Sequence, residues 1–367
     1  MNLIIEPDDG AAPLLAAIKK AKKSVEIAIF RFDRGDIEAA LKAAASKGVK
    51  VTALIAWANR DGEEHLRRLE TRFLEAGIIV ARSGDDLVRY HDKLTIIDRS
   101  TLYLLSFNFT HLDIEHSRGF GIVTKNAKWV QEAVKLFEAD CTRSPYTAGV
   151  DTFVVSPVNS RRVLSEFLVQ AKKQLLIYDP KVSDKEMIRV LEERQKAGVE
   201  IRIIGKVSPR AHFPSQKLSR ARLHTRTIIR DRRQAFVGSQ SLRPMELDMR
   251  REVGLIVREP KIVKRLIDLF EKDWDPGSDG AGSVRTKADL LAPLSRDSQL
   301  AVQVLEKELH PIAVQVKDVV KKVVAQAGEE VLEDRTVKNT VKRVVKKAVK
   351  QAVEEVISET AQETKKS

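Results

Sequence analysis

Two short motifs place an imidazole, a cation, a carboxylate and a hydroxyl at the same spacing along the chain. They consist of His91, Lys93, Asp98 and Ser106 in the first motif, and His224, Arg226, Asp231 and Ser239 in the second. On a strand, residues i and i+2 project from the same face, so each histidine can share a cavity with its cation. Two imidazoles beside fixed cations suit phosphodiester cleavage. One ring attacks phosphorus, the other protonates the leaving oxygen, and the cations stabilise the charge that develops.

The motifs belong to an internal repeat. His224 follows His91 by 133 residues, and the same offset relates the aspartates and the serines of the two motifs. Further upstream, Pro157 follows Pro7 by 150 residues, so the first copy carries 17 additional residues. The segment 61–81 is expected to hold this insertion, because Leu66, Leu69, Phe73 and Leu74 recur there at helical spacing. Two copies of one unit are therefore expected to supply one histidine each.

The repeat shows an alternation of strands and helices. Apolar, β-branched runs predict strands, and segments with apolar residues on one face predict helices. In the first copy we expect strands at 24–30, 49–56 and 94–97 and a helix at 36–47. In the second copy we expect strands at 174–178, 199–204 and 227–229 and a helix at 184–196. This order predicts an α/β sandwich in each half, and a shared site if the halves face each other about a pseudo-twofold axis.

At these residues the chain resembles the phospholipase D superfamily, whose signature is His-x-Lys-x4-Asp followed by Gly-Ser-x-Asn. The first copy matches through the motif residues already named together with Asn108, and the second matches through His224, Asp231, Gly238 and Ser239. The resemblance covers roughly residues 1–275. It implies two tandem α/β sandwich halves with one active site between them, working without a metal or other cofactor.

The resemblance also implies roles for individual residues. His91 would be the nucleophile that forms a phosphohistidine, and His224 would protonate the leaving alcohol and then activate water or an acceptor alcohol. Asp98 would support His224, and Asp231 would support His91. Ser106, Asn108, Ser239 and Glu252 would contact the substrate, while Lys93 and Arg226 would complete the catalytic set.

Four positions depart from the family pattern. Arg226 replaces the second lysine and keeps the charge, although a planar guanidinium binds phosphate in a different geometry. Leu105 replaces the first glycine, and Ser241 replaces the second asparagine. Glu252 matches a carboxylate often found there, but its counterpart in the first copy is Gly119. The pattern therefore predicts an asymmetric site.

Composition limits the class of protein and its partners. The 367 residues include 65 Lys and Arg and 52 Asp and Glu, which gives a net charge of +13. This excess favours a polyanionic partner, such as nucleic acid, an acidic membrane surface or a phosphate-bearing substrate. Cys141 is the single cysteine, which excludes an intramolecular disulfide framework. The N-terminal sequence has no basic region before an apolar one, as a secretory signal would have. We therefore expect a cytoplasmic protein, with attachment to the inner face of the membrane as an alternative.

The C-terminal part differs in composition from the repeat. We expect the first half at 1–148, the second half at 149–275, a linker at 276–310 and an amphipathic basic helical tail at 311–367. In the tail, valines recur at helical spacing and lysines 338, 342, 346 and 350 form a row on another face. Packing onto the body or in a helical assembly is the first interpretation, and binding to an acidic membrane surface is the alternative.

Three functions fit these observations. The first is a phospholipase-like or cardiolipin-synthase-like enzyme that acts on phospholipid. The second is a metal-independent nuclease, favoured by nine basic residues between Lys206 and Arg233, which could also serve as a funnel for any phosphate-bearing substrate. The third is a phosphate-binding or interaction protein with a degenerate site, favoured by Leu105, Gly119 and Arg226.

Overall fold

A computed structural model describes residues 1–57 and 63–275 of this chain. The chain divides into units at 1–284 and 285–367, and the second unit lies outside the described residues. The first copy of the repeat forms strands β1 (Asn2–Glu6), β2 (Ser24–Ile29), β3 (Lys50–Ile55), β4 (Ile79–Arg82), β5 (Arg89–Tyr90), β6 (Leu94–Ile97), β7 (Thr101–Leu105) and β8 (Ser117–Thr124). Its helices are α1 (Ala12–Lys20), α2 (Gly35–Ser46), α3 (Glu63–Glu75), α4 (His111–His116) and α5 (Ala127–Thr142).

The second copy repeats this order. Its strands are β9 (Phe153–Ser156), β10 (Gln174–Val182), β11 (Glu200–Val207), β12 (Ser215–Gln216), β13 (Arg222–Leu223), β14 (Arg226–Arg230), β15 (Gln234–Gly238) and β16 (Arg250–Val257). Its helices are α6 (Ser160–Val169), α7 (Lys185–Lys196), α8 (Pro244–Asp248) and α9 (Pro260–Trp274). Helix α3 has no counterpart among these helices, and it fills the insertion that the two offsets predict.

The two sheets have matching topology. The first has the strand order β1-β8-β7-β6-β2-β3-β4, and the second has β9-β16-β15-β14-β10-β11-β12. In both sheets the two strands joined by a βαβ crossover are parallel, namely β2 with β3 and β10 with β11. The strand after each motif histidine, β6 or β14, is antiparallel to both of its neighbours. The predicted α/β fold of two tandem halves is therefore confirmed.

Three hydrophobic layers hold the sheets and helices together. The middle layer packs α5 and α9 between the facing sides of the two sheets, with Leu136 and Leu266 fully buried. The outer face of the first sheet packs against α1, α2 and α3, and the outer face of the second packs against α6 and α7. In α3, which the spacing of these residues predicts, Leu66, Leu69 and Phe73 are buried and Leu74 is exposed.

A reciprocal pair of buried contacts joins the halves. Arg118 of β8 donates to both carboxylate oxygens of Asp273 in α9, at 3.0 and 3.1 Å. Arg251 of β16 makes the equivalent bidentate contact with Asp140 of α5, at 2.9 to 3.2 Å. Both pairs obey the offset of 133, so the repeat in sequence is also a pseudo-twofold relation in space.

The same relation places the motif histidines. Strand β5, which precedes His91, pairs in parallel with Arg250 and Arg251 of β16, and β13, which precedes His224, pairs in parallel with β8. The backbone N–H of His91 donates to the carbonyl of Arg251 at 2.8 Å, and that of His224 donates to the carbonyl of Arg118 at 3.1 Å. Each histidine is thus held by the opposite half.

The sequence analysis also predicted a boundary between the halves, a linker and a C-terminal tail. The boundary expected between residues 148 and 149 falls between α5 and β9 and stays a prediction. The linker at 276–310 and the tail at 311–367 lie outside the described residues. Among the helices of the described part, none is long and apolar enough to cross a membrane.

Candidate active site

Both motif histidines line one cavity of about 650 Å³ between the halves. The imidazole of His91 enters after β5, and that of His224 enters after β13. Both side chains are largely buried, at 7% exposure each. Asn108 and Asp113 of the first half also line the cavity. The sequence prediction that one site draws a histidine from each copy agrees with this placement.

Glu252 fixes the orientation of His91. Its Oε2 lies 2.8 Å from Nδ1 of the His91 ring, and its side chain is completely buried. Phe30 packs edge-on against the same ring, with the centroids 4.5 Å apart. With Nδ1 engaged by the carboxylate, Nε2 is the ring nitrogen left for chemistry in the cavity. Glu252 was expected to contact substrate, and the structure places it on the histidine instead.

Burial controls the ionisation of this pair. Desolvation, reinforced by the charges of Lys93, Arg226 and Arg250, holds the pKa of His91 well below its usual value, so the ring is neutral. Burial raises the pKa of Glu252 to about 8, although Lys93 opposes the shift. Below that pH Glu252 is a neutral carboxylic acid. Once it loses its proton, the carboxylate accepts a hydrogen bond from Nδ1–H of His91, and the lone pair of Nε2 is then free to attack.

The two motif cations make equivalent contacts. The Lys93 ammonium donates to the backbone carbonyl of His91, and Nη1 of Arg226 donates to that of His224 at 2.6 Å. Burial lowers the pKa of Lys93 to about 7, while the nearby Glu252 carboxylate works in the opposite direction. Arg226 also donates to Oγ of Ser241 at 3.3 Å, so the two departures from the family pattern contact each other.

Asp98 and Asp231 lie away from the histidines. The Asp98 carboxylate accepts hydrogen bonds from the backbone N–H groups of Lys22, Lys23 and Ser24, at 2.6 to 3.1 Å. Asp231 makes the same contacts in the other half, with the N–H groups of residues 172–174.

Each aspartate therefore ties the end of its motif strand to the start of a neighbouring strand. The expectation that Asp98 supports His224 and Asp231 supports His91 is corrected, because the carboxylates at the two rings are Asp113 and Glu252.

The motif serines serve the sheets. Oγ of Ser106 accepts from the backbone N–H of Phe120 at 2.8 Å, and Oγ of Ser239 accepts from that of Val253 at 3.1 Å. Both side chains are completely buried. These hydroxyls connect β7 to β8 and β15 to β16. The structure therefore places both serines in contacts within the sheets and not, as expected, in contact with substrate.

Asp113 is the main site residue that the motif analysis missed. It lies near the start of α4, and its Oδ2 is 3.5 Å from Nε2 of His224. Oδ2 also accepts from the backbone N–H and the Nδ2 of Asn108, at 2.8 and 2.7 Å. Its counterpart at the offset of 133 is Glu246, so an acidic residue shared by both copies was the available sequence signal.

Arginines give the cavity a positive wall. The guanidinium-bearing residues that line it within the described part are Arg31, Arg68, Arg72, Arg89 and Arg222. Arg222 is one of the nine basic residues expected to form a funnel, and it contacts Asp113 at 2.7 Å. Helix α3, the insertion, contributes two of the arginines together with His65. This electrostatic environment suits an anionic ligand.

Comparison with known proteins agrees with the fold. Residues 14–141 match the family model described as "Cardiolipin synthase, PLD-like domain". This segment contains His91 and the first motif, and the structure repeats its fold in the second half. The first half of this chain is therefore similar to the phospholipase D-like domain family.

Two solved structures have a similar fold over most of the chain. The polyphosphate kinase of Porphyromonas gingivalis superimposes with a TM-score of 0.62 at 23% identity, covering 74% of this chain and 50% of that one. The phosphatidylserine synthase of Haemophilus influenzae superimposes with a TM-score of 0.56 at 13% identity, covering 85% and 93%. At these identities the likeness establishes the fold.

A curated relative gives a partial match. The polyphosphate kinase of Salmonella typhimurium is 23% identical over 257 residues, which cover 62% of this chain and 37% of that protein. This chain therefore spans little more than a third of the length of that relative.

Proposed function

We propose that this protein cleaves or transfers a phosphodiester through a covalent phosphohistidine on His91. The contact between Glu252 and Nδ1 of His91 carries the proposal, since it directs Nε2 of a neutral ring toward the cavity. Nε2 attacks phosphorus and forms the N–P bond. His224 gives a proton to the oxygen of the departing alcohol as the P–O bond breaks.

The second half of the reaction returns both histidines to their starting state. His224, now without that proton, takes one from water or an acceptor alcohol. The oxygen attacks phosphorus and the N–P bond to His91 breaks. Lys93 and Arg226 lie beside both rings, and their charges stabilise the negative charge on the phosphoryl oxygens.

Phospholipid is the first substrate class in this proposal. The family model that matches residues 14–141 has cardiolipin synthase in its description, and a phosphatidylserine synthase shares the fold over most of both chains. The sequence also offers the basic tail at 311–367 as a contact to an acidic membrane surface. Replacing lysines 338, 342, 346 and 350 by glutamine in the full chain should then reduce sedimentation with phosphatidylglycerol vesicles, and unchanged sedimentation would remove this part of the proposal.

Nucleic acid is the second candidate substrate. The positive wall of the cavity favours a ligand with more than one phosphate group. Cleavage of an oligonucleotide that weakens steeply between 50 and 200 mM salt would favour this candidate over the lipid. Hydrolysis of phosphatidylglycerol vesicles without nucleotide release would favour the lipid.

The direct experiment measures turnover of bis(p-nitrophenyl) phosphate in the presence of a chelator. We expect turnover by the full chain and its loss, by at least about 10³-fold, in His91→Asn. His224→Asn should lose turnover as well, because its ring is the base that activates water in the second step even where the leaving group needs no acid. His116→Asn is the matched control, because His116 is exposed at the end of α4. Acid-labile and base-stable phosphate trapped on wild type but absent from His91→Asn would identify the nucleophile. Equal turnover in all variants would refute the two-histidine mechanism.

Arg226→Lys tests the third alternative, a binding protein with a degenerate site. A large gain in turnover would indicate that Arg226 weakens an ancestral enzyme. The guanidinium spans the His224 carbonyl and Ser241, which one ammonium cannot do equally well. We therefore expect turnover to fall in this variant.

A further inference from the structure

The two histidines have different surroundings, although the repeat would make them equivalent. Glu252 contacts Nδ1 of His91, and the residue at the matching position beside His224 is Gly119. Nδ1 of His224 is buried and has no hydrogen-bond partner in the part of the chain that the structure describes. The arrangement at His91 is therefore not repeated at His224.

Packing keeps a carboxylate out of the Gly119 position. A Cβ atom added to Gly119 would lie 2.8 Å from a ring carbon of Phe107 and 3.1 Å from its Cβ. Phe107 is itself buried, at 3% exposure. The counterpart of Phe107 in the second half is Gln240, which donates to the carbonyl of Val154 and leaves Glu252 its place. Phe107 thus occupies the space that a glutamate at 119 would need.

Asp113 reaches His224 from the other side. Its Oδ2 is 3.5 Å from Nε2 of the ring, and the side chain is 2% exposed. Two hydrogen bonds from Asn108 hold Oδ2, and Arg222 of the second half donates to Oδ1 at 2.7 Å. Every one of these contacts fixes the carboxylate at the nitrogen that faces the cavity.

We propose that Asp113 is the positioning residue that keeps a proton on Nε2 of His224, and so assigns proton donation to His224 and nucleophilic attack to His91. This inference rests on the proposed function. An imidazolium whose Nε2–H lies beside a carboxylate cannot attack through that atom, but it can give this proton to a leaving oxygen and become a neutral ring. His91 has the opposite arrangement, because its carboxylate engages Nδ1.

The charges around His224 set the direction of the pH effect. Burial holds the pKa of His224 well below its usual value. Asp113 opposes this shift, and the cations Arg226, Lys93 and Arg222 add to it. His91 also faces it across the cavity and is neutral. Removing the negative charge of Asp113 leaves the cations unopposed, so the protonated form of His224 should be lost at lower pH.

Leaving-group dependence separates this role from a structural one. A good leaving group departs without protonation, whereas a poor one needs the acid. We therefore compare kcat/KM of Asp113→Asn for p-nitrophenyl methyl phosphate and for phenyl methyl phosphate. We expect a loss of less than about tenfold with the nitrophenyl ester and of at least about 10²-fold with the phenyl ester. With the phenyl ester, the fall in activity at high pH should move to lower pH than in wild type.

Controls make every outcome informative. Glu115→Gln changes another carboxylate of α4 that is partly exposed, and it should behave as wild type with both esters. Asp113→Glu keeps the charge and should restore most of the phenyl-ester activity. It also keeps the test open if the asparagine variant folds poorly in near-UV circular dichroism. Equal losses with the two esters and an unshifted pH profile would overturn the role of Asp113.

A transplant offers a stronger test. In the background of Asp113→Asn, Phe107→Gln with Gly119→Glu copies the residues that surround His91 and places a carboxylate near Nδ1 of His224. No recovery of phenyl-ester turnover is the expected result, because a carboxylate at Nδ1 leaves Nε2 of His224 without a proton, as in His91. Recovery in a folded variant would count against the proposal. If His91→Asn and His224→Asn keep wild-type activity, the proposed function fails. If they are inactive and only the Asp113 signature is missing, this inference alone fails.

Discussion

Replacement of Glu252 by glutamine should slow the first chemical step. When Nε2 of His91 attacks phosphorus, the ring gains positive charge beside the carboxylate, whose Oε2 is 2.8 Å from Nδ1. With about 4 Å between the charge centres and an effective dielectric constant of about 20, the attraction is about 4 kcal/mol. That energy corresponds to about 10³-fold in rate, since about 1.4 kcal/mol is a factor of ten. Glutamine keeps a neutral hydrogen bond, so we expect a loss of about 10²- to 10³-fold in kcat/KM.

The pH profile gives this prediction a second readout. The pKa of Glu252 is raised to about 8 by burial, so wild-type kcat/KM should rise with pH until the carboxylate ionises near that value. Glutamine has no such ionisation, and the rise should disappear in Glu252→Gln. The assay is initial-rate hydrolysis of bis(p-nitrophenyl) phosphate between pH 5 and pH 10.

A matched variant controls for general effects. Glu259→Gln makes the same chemical change at an exposed position just before α9, and it should keep wild-type rates and the rise with pH. A Glu252→Gln protein within threefold of wild type, or one that keeps the rise near pH 8, would refute the reasoning. Either result would mean that the Nδ1 contact does not activate His91.

Two stability predictions follow from the buried carboxylates. Asp273→Asn should cost about 3 to 5 kcal/mol in urea unfolding, because it leaves the buried guanidinium of Arg118 without its buried ion-pair partner. Asp268→Asn in the exposed pair of α9 should cost about 0.5 kcal/mol or less. A cost of Asp273→Asn below about 1 kcal/mol would contradict the role of this contact between the halves. Asp98→Asn should cost about 1 to 2 kcal/mol through weakened backbone hydrogen bonds and leave kcat within about twofold of wild type, and a 10²-fold loss of kcat without unfolding would return Asp98 to the catalytic set.

Local sequence patterns were sufficient for most of the scaffold. The apolar runs predicted β2, β3 and β6 to within a residue or so, because a strand buried on both faces must be apolar along its length. The change of offset from 150 to 133 located α3, since an insertion between repeated elements alters the spacing of everything after it. The motif residues likewise predicted that His91 and His224 share one site, and both residues line the same cavity.

The partners of the catalytic groups needed the tertiary structure. The sequence places Asp98 seven residues after His91, yet Asp98 lies at the far end of β6 and binds backbone N–H groups. Glu252 reaches His91 from 161 residues away, because β16 pairs with β5 across the pseudo-twofold relation. Pairing between strands so far apart in sequence produces no periodic pattern in the local sequence, so the contact between Glu252 and His91 could not be predicted from it.

Sequence alone determined the repeat, the class of fold, the two histidines and the loss of a carboxylate at Gly119, because each of these is written in residue types and spacing. Only the tertiary structure decided that Phe107 fills the place of that carboxylate and that Asp113 approaches His224 from the opposite side. The physical reason is that packing and long-range strand pairing determine which side chains meet. Spacing along the chain limits those contacts without choosing among them.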